Sequence, residues 1–218
     1  MKNYKAVLFD FDGTLASTMQ DHFRSWQFVF KEFGADIFPD DYFPLEGNEV
    51  PRIAEILCEK YEISTSLAYK IAKLKDENYL SNLRGGLVEF YPGVENIICD
   101  LGKRNVLLGI VTGGFADRIQ KSVSPEILKL FTAMVTAETT ERGKPFADPY
   151  LKGAELLGID AKDCVGVENA PLGVKSVKSA GMYCVALAHT VSADKLSEAD
   201  VILPAFEELS EFFENIGV

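Results

Sequence analysis

Two carboxylates with a glycine behind them are the residues best suited to chemistry in this chain. Asp10, Asp12 and Gly13 directly follow residues 6–9, an apolar run with the length and type of a buried parallel strand. Ligands of open α/β sheets bind just beyond the carboxyl ends of the strands, so both carboxylates are expected at the mouth of a crevice. The alternative is an ordinary exit from a strand into a turn, because Asp and Gly are common turn residues. Motifs further along the chain decide between the two.

A hydroxyl followed by two glycines ends a second apolar run. Thr112, Gly113 and Gly114 come after residues 108–111, and two glycines let backbone amides approach an anion closely, as a phosphate oxygen requires. A strand that ends in Thr-Gly can equally be a simple turn. Lys144 stands between a glycine and a proline, an unusual setting for a residue type that is usually a solvated surface charge.

Glu168 and Asn169 end another apolar run, and Pro171 behind them suits the first turn of a helix. Hard oxygen ligands at a strand end are what Mg²⁺ takes, usually few in number and supplemented by water and phosphate. The alternative is an Asn helix cap beside a surface Glu.

The elements that must position these residues alternate between strands and helices. Strands separated by helices imply right-handed crossovers and a parallel sheet. From about residue 17 to residue 88 the pattern is helical, with one apolar stripe that includes His22 and Trp26. The chain is therefore predicted to form an α/β fold, a three-layer Rossmann-like core (1–16 and 89–218) with an all-helical cap (17–88) inserted after the first strand. The strand predictions are residues 6–9, 106–111, 133–137, 164–167 and 183–188, with 201–203 as a short edge strand.

The composition and the net charge limit the kinds of binding partner that we expect for this protein. The 218 residues are 47% hydrophobic and 25% charged, the balance of a globular protein with one core and an insertion. The net charge of -11 argues against nucleic-acid partners, which need a basic face, but it leaves room for a small phosphorylated metabolite bound by a metal ion and a few cations. We expect a monomer or weak homo-oligomer in the cytoplasm, with no signal peptide and no membrane span. The four cysteines have no zinc-like spacing and are expected to be buried free thiols.

The string at residues 10–14, Asp-Phe-Asp-Gly-Thr, resembles the first signature of the haloacid dehalogenase superfamily. The other three motifs follow in that family's order, and the resemblance spans nearly the whole chain, closest to the β-phosphoglucomutase and sugar-phosphatase branch. It implies that Asp10 attacks phosphorus and forms an aspartyl phosphate, a form of covalent catalysis open to carboxylates. It also implies that Asp12 protonates the leaving oxygen, then activates water, and helps to hold Mg²⁺ through its carbonyl.

The same resemblance implies roles for the later motifs. Thr112 would bind the phosphoryl group together with the loop of Gly113 and Gly114, and Lys144 would offset the negative charge of the nucleophile and the phosphate. Ala147 stands where many relatives have Pro, a departure expected to be harmless.

The implied Mg²⁺ ligands are Asp10, Asp12, Glu168 and Asn169. Many relatives have Glu-Asp where this chain has Glu168-Asn169, so one negative charge is missing. The resemblance leaves open which of these last two residues ligates the metal directly.

Three residues of the helical cap are candidates for substrate binding. His22 and Lys75 lie in strings similar to those of β-phosphoglucomutase relatives, where they are implied to help position Asp12. A core histidine with satisfied hydrogen bonds is the alternative for His22. Arg52 is a loose match, displaced in spacing, to an arginine that binds a second phosphate in that group.

The residues after Thr112 favour hydrolysis over intramolecular transfer, because mutases of this branch have polar and basic residues where residues 113–116 are Gly-Gly-Phe-Ala. The prediction is a Mg²⁺-dependent phosphatase acting on a sugar phosphate. The rivals are a β-phosphoglucomutase-like enzyme and a catalytically silent small-molecule-binding protein on the same fold. A dehalogenase is disfavoured by Asp12, and a phosphonatase by the lack of Lys between Glu32 and Glu59.

Overall fold

A six-stranded parallel sheet forms the centre of the protein, for which a computed structural model describes residues 4–218. The strand order is β3-β2-β1-β4-β5-β6, so the first strand lies in the middle between β2 and β4. Within the ladder Phe9 is level with Ile110 on one side and with Val167 on the other. The residues that follow these three strands therefore meet at one edge of the sheet. The strands are β1 Ala6–Phe9, β2 Leu107–Val111, β3 Ala133–Val135, β4 Cys164–Glu168, β5 Tyr183–Leu187 and β6 Val201–Leu203.

Helices cover both faces of this sheet, because its strands are apolar on both sides. On one face α5 and α10 pack against Val7 and Phe9, and on the other α8 and α9 pack against Leu8. The helices are α1 Met19–Glu32, α2 Pro39–Tyr42, α3 Val50–Lys60, α4 Ala68–Asn82, α5 Val94–Lys103, α6 Ala116–Ser122, α7 Pro125–Leu128, α8 Asp148–Leu157, α9 Pro171–Ser179 and α10 Leu209–Ile216. Short 3-10 turns occur at Phe43–Leu45, Thr65–Leu67, Arg84–Gly86, Ala161–Asp163, Ala193–Leu196 and Phe206–Glu208.

Helices α1 to α4 build a separate hydrophobic cluster around Trp26, Phe30, Leu57 and Ile71. The chain enters and leaves this helical segment side by side. Backbone hydrogen bonds of 2.9 Å from Ser17 to Glu89 and 3.0 Å from Tyr91 to Leu15 join the two crossings. The division into residues 1–16 plus 89–218 and residues 17–88 stays a prediction, and these bonds lie next to its boundaries.

The predicted three-layer parallel fold is confirmed, and each predicted strand is found within two residues of its expected bounds. Helices α2, α6, α7 and α10 were not predicted. The expectation of four buried thiols is wrong for Cys99, which is exposed on the outer side of α5, whereas Cys58, Cys164 and Cys184 are buried and free. Within residues 4–218, none of the helices combines the length and the hydropathy that crossing a bilayer would need.

Candidate active site

The sequence motifs converge at the carboxyl edge of the sheet. Asp10 follows β1, Thr112 follows β2 and Glu168 ends β4, and the strand register brings the three together. The backbone amide of Asp10 still continues the ladder by donating to the Val167 carbonyl at 2.9 Å. Lys144 reaches the same point from the loop that precedes α8.

Lys144 joins the two acidic residues at the base of the site. Its ammonium donates to Asp10 Oδ1 at 2.6 Å, to Glu168 Oε1 at 2.5 Å and to the Val111 carbonyl at 3.2 Å. Burial opposes the charge on Lys144, but the two carboxylates outweigh it and raise the pKa of Lys144 above its usual value. The lysine is therefore a permanent cation in contact with Asp10.

The two carboxylate oxygens of Asp10 differ in their hydrogen bonding. Lys144 binds Oδ1, whereas Oδ2 is buried and has no hydrogen-bond partner among residues 4–218. Burial raises the pKa of the Asp10 carboxyl, and Lys144 opposes that shift. An oriented carboxylate with one uncommitted oxygen is suited to attack an electrophile or to bind a cation.

Glu168 and Asn169 differ in what their side chains can do. The Glu168 carboxylate is fully buried and engaged: Oε1 accepts from Lys144 and from the Tyr150 hydroxyl at 3.0 Å, and Oε2 accepts from the amides of Asn169 and Ala170. Asn169 lines the cavity next to Asp10, which Glu168 does not. Its Oδ1 accepts from Thr14 at 2.9 Å and its Nδ2 donates to Thr190 at 2.9 Å.

Asp12 lies in a set of donors that surrounds both of its carboxylate oxygens. Oδ1 accepts from the Thr18 hydroxyl at 2.8 Å, from His22 Nε2 at 2.8 Å and from Arg118 at 3.0 Å. Oδ2 is contacted by the second guanidinium nitrogen of Arg118 and by the Thr112 hydroxyl at 3.4 Å. Burial favours the neutral acid, but Arg118 and His22 outweigh it and hold the pKa of Asp12 well below its usual range.

His22 and Lys75 extend this network into the helical segment. Lys75 donates to His22 Nδ1 at 2.8 Å and to Asp76 at 3.1 Å, and His22 Nε2 faces Asp12. Because Lys75 can only donate, Nδ1 accepts and Nε2 carries the proton of the neutral ring. Burial and the charge of Lys75 lower the pKa of His22 to about 4, in keeping with that neutral form. His22 thus contacts Asp12 directly, whereas Lys75 is connected to Asp12 only through His22.

The two glycines after Thr112 leave room for neighbours. A Cβ at Gly113 would lie 2.5 Å from the Asn48 carbonyl oxygen, and the Gly113 carbonyl accepts from the Val50 amide at 2.9 Å. A Cβ at Gly114 would lie 2.1 Å from the Arg118 guanidinium. The glycines therefore let the helical segment and Arg118 approach the strand end.

The predicted Arg52 does not reach the cavity beside Asp10, whereas Arg118, which was not predicted, contacts Asp12. Arg52 is exposed, pairs with Glu55 at 2.9 Å and does not line the cavity beside Asp10. Arg118 is only 1% exposed and contacts Asp12, yet sequence reasoning missed it. The signal that could have found it is its position four residues after Gly114, one turn into a helix that starts at the strand end.

Comparisons with known proteins agree with this geometry. The chain belongs to the haloacid dehalogenase-like hydrolases, whose family model matches residues 7–187, and the predicted resemblance is thereby confirmed. It is 29% identical over 214 residues to hexitol phosphatase A of Escherichia coli (strain K12), covering 94% of this chain and 93% of that protein. It is 28% identical over 198 residues to β-phosphoglucomutase of Bacillus subtilis (strain 168), covering 83% and 82%. The crystal structure of β-phosphoglucomutase from Clostridium difficile has the same fold, with a TM-score of 0.84 at 21% identity over 98% of this chain and 97% of that one.

Proposed function

We propose that this protein is a Mg²⁺-dependent phosphatase that hydrolyses a sugar phosphate through an aspartyl-phosphate intermediate. Membership of a hydrolase family, with relatives named as phosphatases, supports a phosphoric monoester hydrolase. The observation that carries the mechanism is the Asp10 carboxylate, held by Lys144 on one oxygen and without a partner on the other. Asp12 and Thr112 lie beside it in the same cavity.

The proposed reaction has two displacements at phosphorus. In the first, Asp10 Oδ2 forms a bond to phosphorus, the bond to the sugar oxygen breaks, and Asp12 gives that oxygen a proton. In the second, Asp12 takes a proton from water, the water oxygen bonds to phosphorus, and the bond to Asp10 breaks to release phosphate. Because Arg118 contacts both oxygens of Asp12 and holds the carboxyl in its ionised form, Asp12 must first take up a proton from solvent, and this requires one of its oxygens to leave Arg118. Lys144 and Thr112 supply fixed charge and a hydroxyl donor to the phosphoryl group.

The donors at the site fit Mg²⁺ rather than a metal that needs several protein ligands. Residues 4–218 contain no cluster of three or more His, Cys, Asp or Glu side chains placed to hold a metal. Mg²⁺ instead takes one or two carboxylates together with neutral oxygens, water and phosphate. Asp10 Oδ1, the Asp12 carbonyl and Asn169 Oδ1 would hold it, which leaves Asp10 Oδ2 free to attack phosphorus, whereas Glu168 is committed to Lys144, Tyr150 and two amides. Bound there, Mg²⁺ would offset the negative charge of the phosphoryl group.

The test measures both products of the competing reactions. Purified protein is incubated with Mg²⁺ and a panel of phosphorylated metabolites that includes sorbitol 6-phosphate and β-glucose 1-phosphate, the latter with and without glucose 1,6-bisphosphate. Free phosphate and glucose 6-phosphate are assayed. We expect steady phosphate release that stops with EDTA. Glucose 6-phosphate with little free phosphate would instead identify a mutase, and neither product would favour a silent binding protein.

The nucleophile is tested by Asp10→Asn, with Asp21→Asn as the matched control at an exposed site on α1. Asp10→Asn should lose phosphate release while Asp21→Asn keeps it, since an amide oxygen cannot form the acyl phosphate. Full turnover by Asp10→Asn would overturn the assignment.

A further inference from the structure

Glu46 brings a third carboxylate to the cavity that contains Asp10 and Asp12. It follows the 3-10 turn Phe43–Leu45 and is only 7% exposed. Its side chain lines both the cavity of about 40 Å³ next to Asp10 and a larger one of about 690 Å³ beside it. The mechanism proposed above gives this residue no part.

The loop that carries Glu46 is held in place on both sides. The Asn48 side chain and backbone amide donate to the Leu45 carbonyl at 2.9 and 3.2 Å. Gly47 has φ of +89°, and a Cβ there would lie 3.3 Å from the side chains of Ala170 and Leu172 in the core. Glu46 is therefore directed at the cavity by a tight turn packed against the start of α9.

The Glu46 carboxylate has no partner to match its burial. Among the groups that the structure describes, none donates a hydrogen bond to it or forms an ion pair with it. Burial and the nearby charge of Asp10 raise the pKa of Glu46 to about 7. The Glu46 oxygens are not among the fully buried unpartnered atoms of the described residues, so they face the cavity, where a ligand that supplies donors can reach them.

The cavity wall around Glu46 has few positively charged side chains that could bind an anion. Apart from Lys75, its other cavity-lining neighbours from the helical segment are neutral, including His22 in the uncharged form described above; they are Met19, His22, Trp26, Tyr42, Gly47, Asn48, Val50 and Ile53. Lys75 lines the cavity but is engaged by His22 and Asp76, while Arg52 pairs with Glu55 outside it. Lys195 lines only the larger cavity and is exposed.

We propose that Glu46 determines substrate specificity by accepting hydrogen bonds from hydroxyl groups of the leaving group. The substrate class is then a phosphate monoester of a neutral polyol or sugar, and esters that carry a second anionic group are rejected by charge repulsion. Above neutral pH, where Glu46 is ionised, its carboxylate is suited to this, because its two oxygens accept from neighbouring hydroxyls in strong, charge-assisted bonds. Repulsion of the wrong ligand is a general route to specificity. This inference rests on the proposed phosphatase function.

The experiment compares two esters that differ at one end only. Sorbitol 6-phosphate and 6-phosphogluconate share a six-carbon hydroxylated chain, but the second ends in a carboxylate. The ratio of their kcat/KM values is measured for the wild-type protein, for Glu46→Gln and for Glu59→Gln, the same change at an exposed site on α3. A ratio within one variant cancels any defect that is common to both substrates.

We expect the wild-type ratio to favour sorbitol 6-phosphate by at least tenfold. Glu46→Gln should reduce that ratio about tenfold, through a higher KM for sorbitol 6-phosphate and faster hydrolysis of 6-phosphogluconate, and Glu59→Gln should leave the ratio as it is. The substrate-free Glu46→Gln protein should unfold at the same or a higher temperature, because a buried charge without a partner has been removed. This second readout verifies that the variant is folded.

Phosphate release tests the proposed phosphatase function, and the kcat/KM ratio tests the role of Glu46, so the two can fail separately. If the wild-type protein releases phosphate from none of the metabolites, the phosphatase proposal falls. If it is a phosphatase but hydrolyses both six-carbon esters equally well, hydrolyses neither, or keeps its ratio in Glu46→Gln, the specificity role of Glu46 is overturned.

Discussion

Arg118 holds both carboxylate oxygens of Asp12, with one guanidinium nitrogen 3.0 Å from Oδ1 and the other in contact with Oδ2. The arginine comes from α6 and is almost completely buried, and its Nε lies 3.7 Å from Asp76 of α4. One cation thus links the loop after β1 to the helical segment. Asp12 is kept as an oriented carboxylate as long as this pairing lasts.

Removal of the buried cation should destabilise the protein far more than removal of an exposed one. Arg118→Met removes the cation that faces Asp12, although Asp12 keeps Thr18 and His22, and loss of one partner of a buried ion pair typically costs about 3–5 kcal/mol. The control is Lys121→Met on the same helix, whose 2.8 Å pair with Asp117 is largely exposed, so a loss of about 0–1 kcal/mol is expected. The free energy of unfolding in urea measures both. Equal losses in the two variants would contradict a structural role for the buried pair.

Gly114 should be intolerant of a methyl group because of Arg118. The added Cβ in Gly114→Ala meets the guanidinium at 2.1 Å, and overpacking of this kind costs about 1–3 kcal/mol. Gly102→Ala in α5 is the control, since no heavy atom lies within 4 Å of its added Cβ and alanine favours a helix by about 0.5–1 kcal/mol.

A double-mutant cycle identifies the cause of the Gly114→Ala effect. In the Arg118→Met background Gly114→Ala should cost clearly less, because the clashing group is absent. Additive losses in urea unfolding would show that the methyl group conflicts with something other than Arg118.

The strand ends were predictable because they follow from local signals. Apolar runs that stop at Asp10, Thr112 and Glu168 indicate buried parallel strands, and topology then places their ends side by side. No three-dimensional information is needed for that step, since the first strand of such a sheet is central. The candidate nucleophile and its surroundings were therefore visible in the sequence.

The missed residues are charged side chains that are buried by tertiary contacts. Arg118 and Glu46 look like solvated surface residues in the sequence, because burial of a charge depends on what packs over it. Helix α6 was missed for a related reason, since its seven residues have a buried arginine where an apolar residue would mark the inner face. The different hydrogen bonds of Glu168 and Asn169 could not be predicted either, because neighbours in sequence point to opposite sides of a strand end.

A carboxylate introduced at position 169 should strengthen Mg²⁺ binding. Asn169 lines the cavity next to Asp10, and Asn169→Asp adds a negative charge to a set of hard oxygen ligands. Charge count tunes affinity for such cations, so the half-saturating Mg²⁺ concentration should fall roughly tenfold. Calorimetric titration with Mg²⁺ and the Mg²⁺ dependence of phosphate release measure this.

Thr190→Val is the control for Asn169→Asp, because it removes the 2.9 Å bond from Asn169 Nδ2 without adding charge. It should not tighten Mg²⁺ binding. If Asn169→Asp binds Mg²⁺ no better than the wild type, the side chain at position 169 is not a ligand.

Asp41 ties the loop before Glu46 to the end of α3, and its contribution should depend on pH. It accepts from the Phe38 amide at 2.7 Å and from the Tyr61 hydroxyl at 2.5 Å, and it contacts the Lys60 ammonium. Hydrogen bonds from Lys60 and Tyr61 lower the pKa of Asp41 to about 2. Bonds to a charged group typically contribute about 1.5–3 kcal/mol, so Asp41→Asn should lose stability of this order at pH 7.

The unfolded chain takes up the Asp41 proton at a pKa of about 3.9, before the folded protein does. The stabilisation is therefore complete above about pH 4 and is lost as the pH falls towards 2, the direction expected when the folded pKa is the lower one. Urea unfolding of wild type and Asp41→Asn at pH 7, 5, 3.5 and 2.5 should give a constant difference at first and a shrinking one below pH 4. Asp40→Asn, at the exposed neighbouring position, should show a small difference throughout. A wild-type advantage that is undiminished at pH 2.5 would mean that the Asp41 carboxylate is not what Lys60 and Tyr61 stabilise.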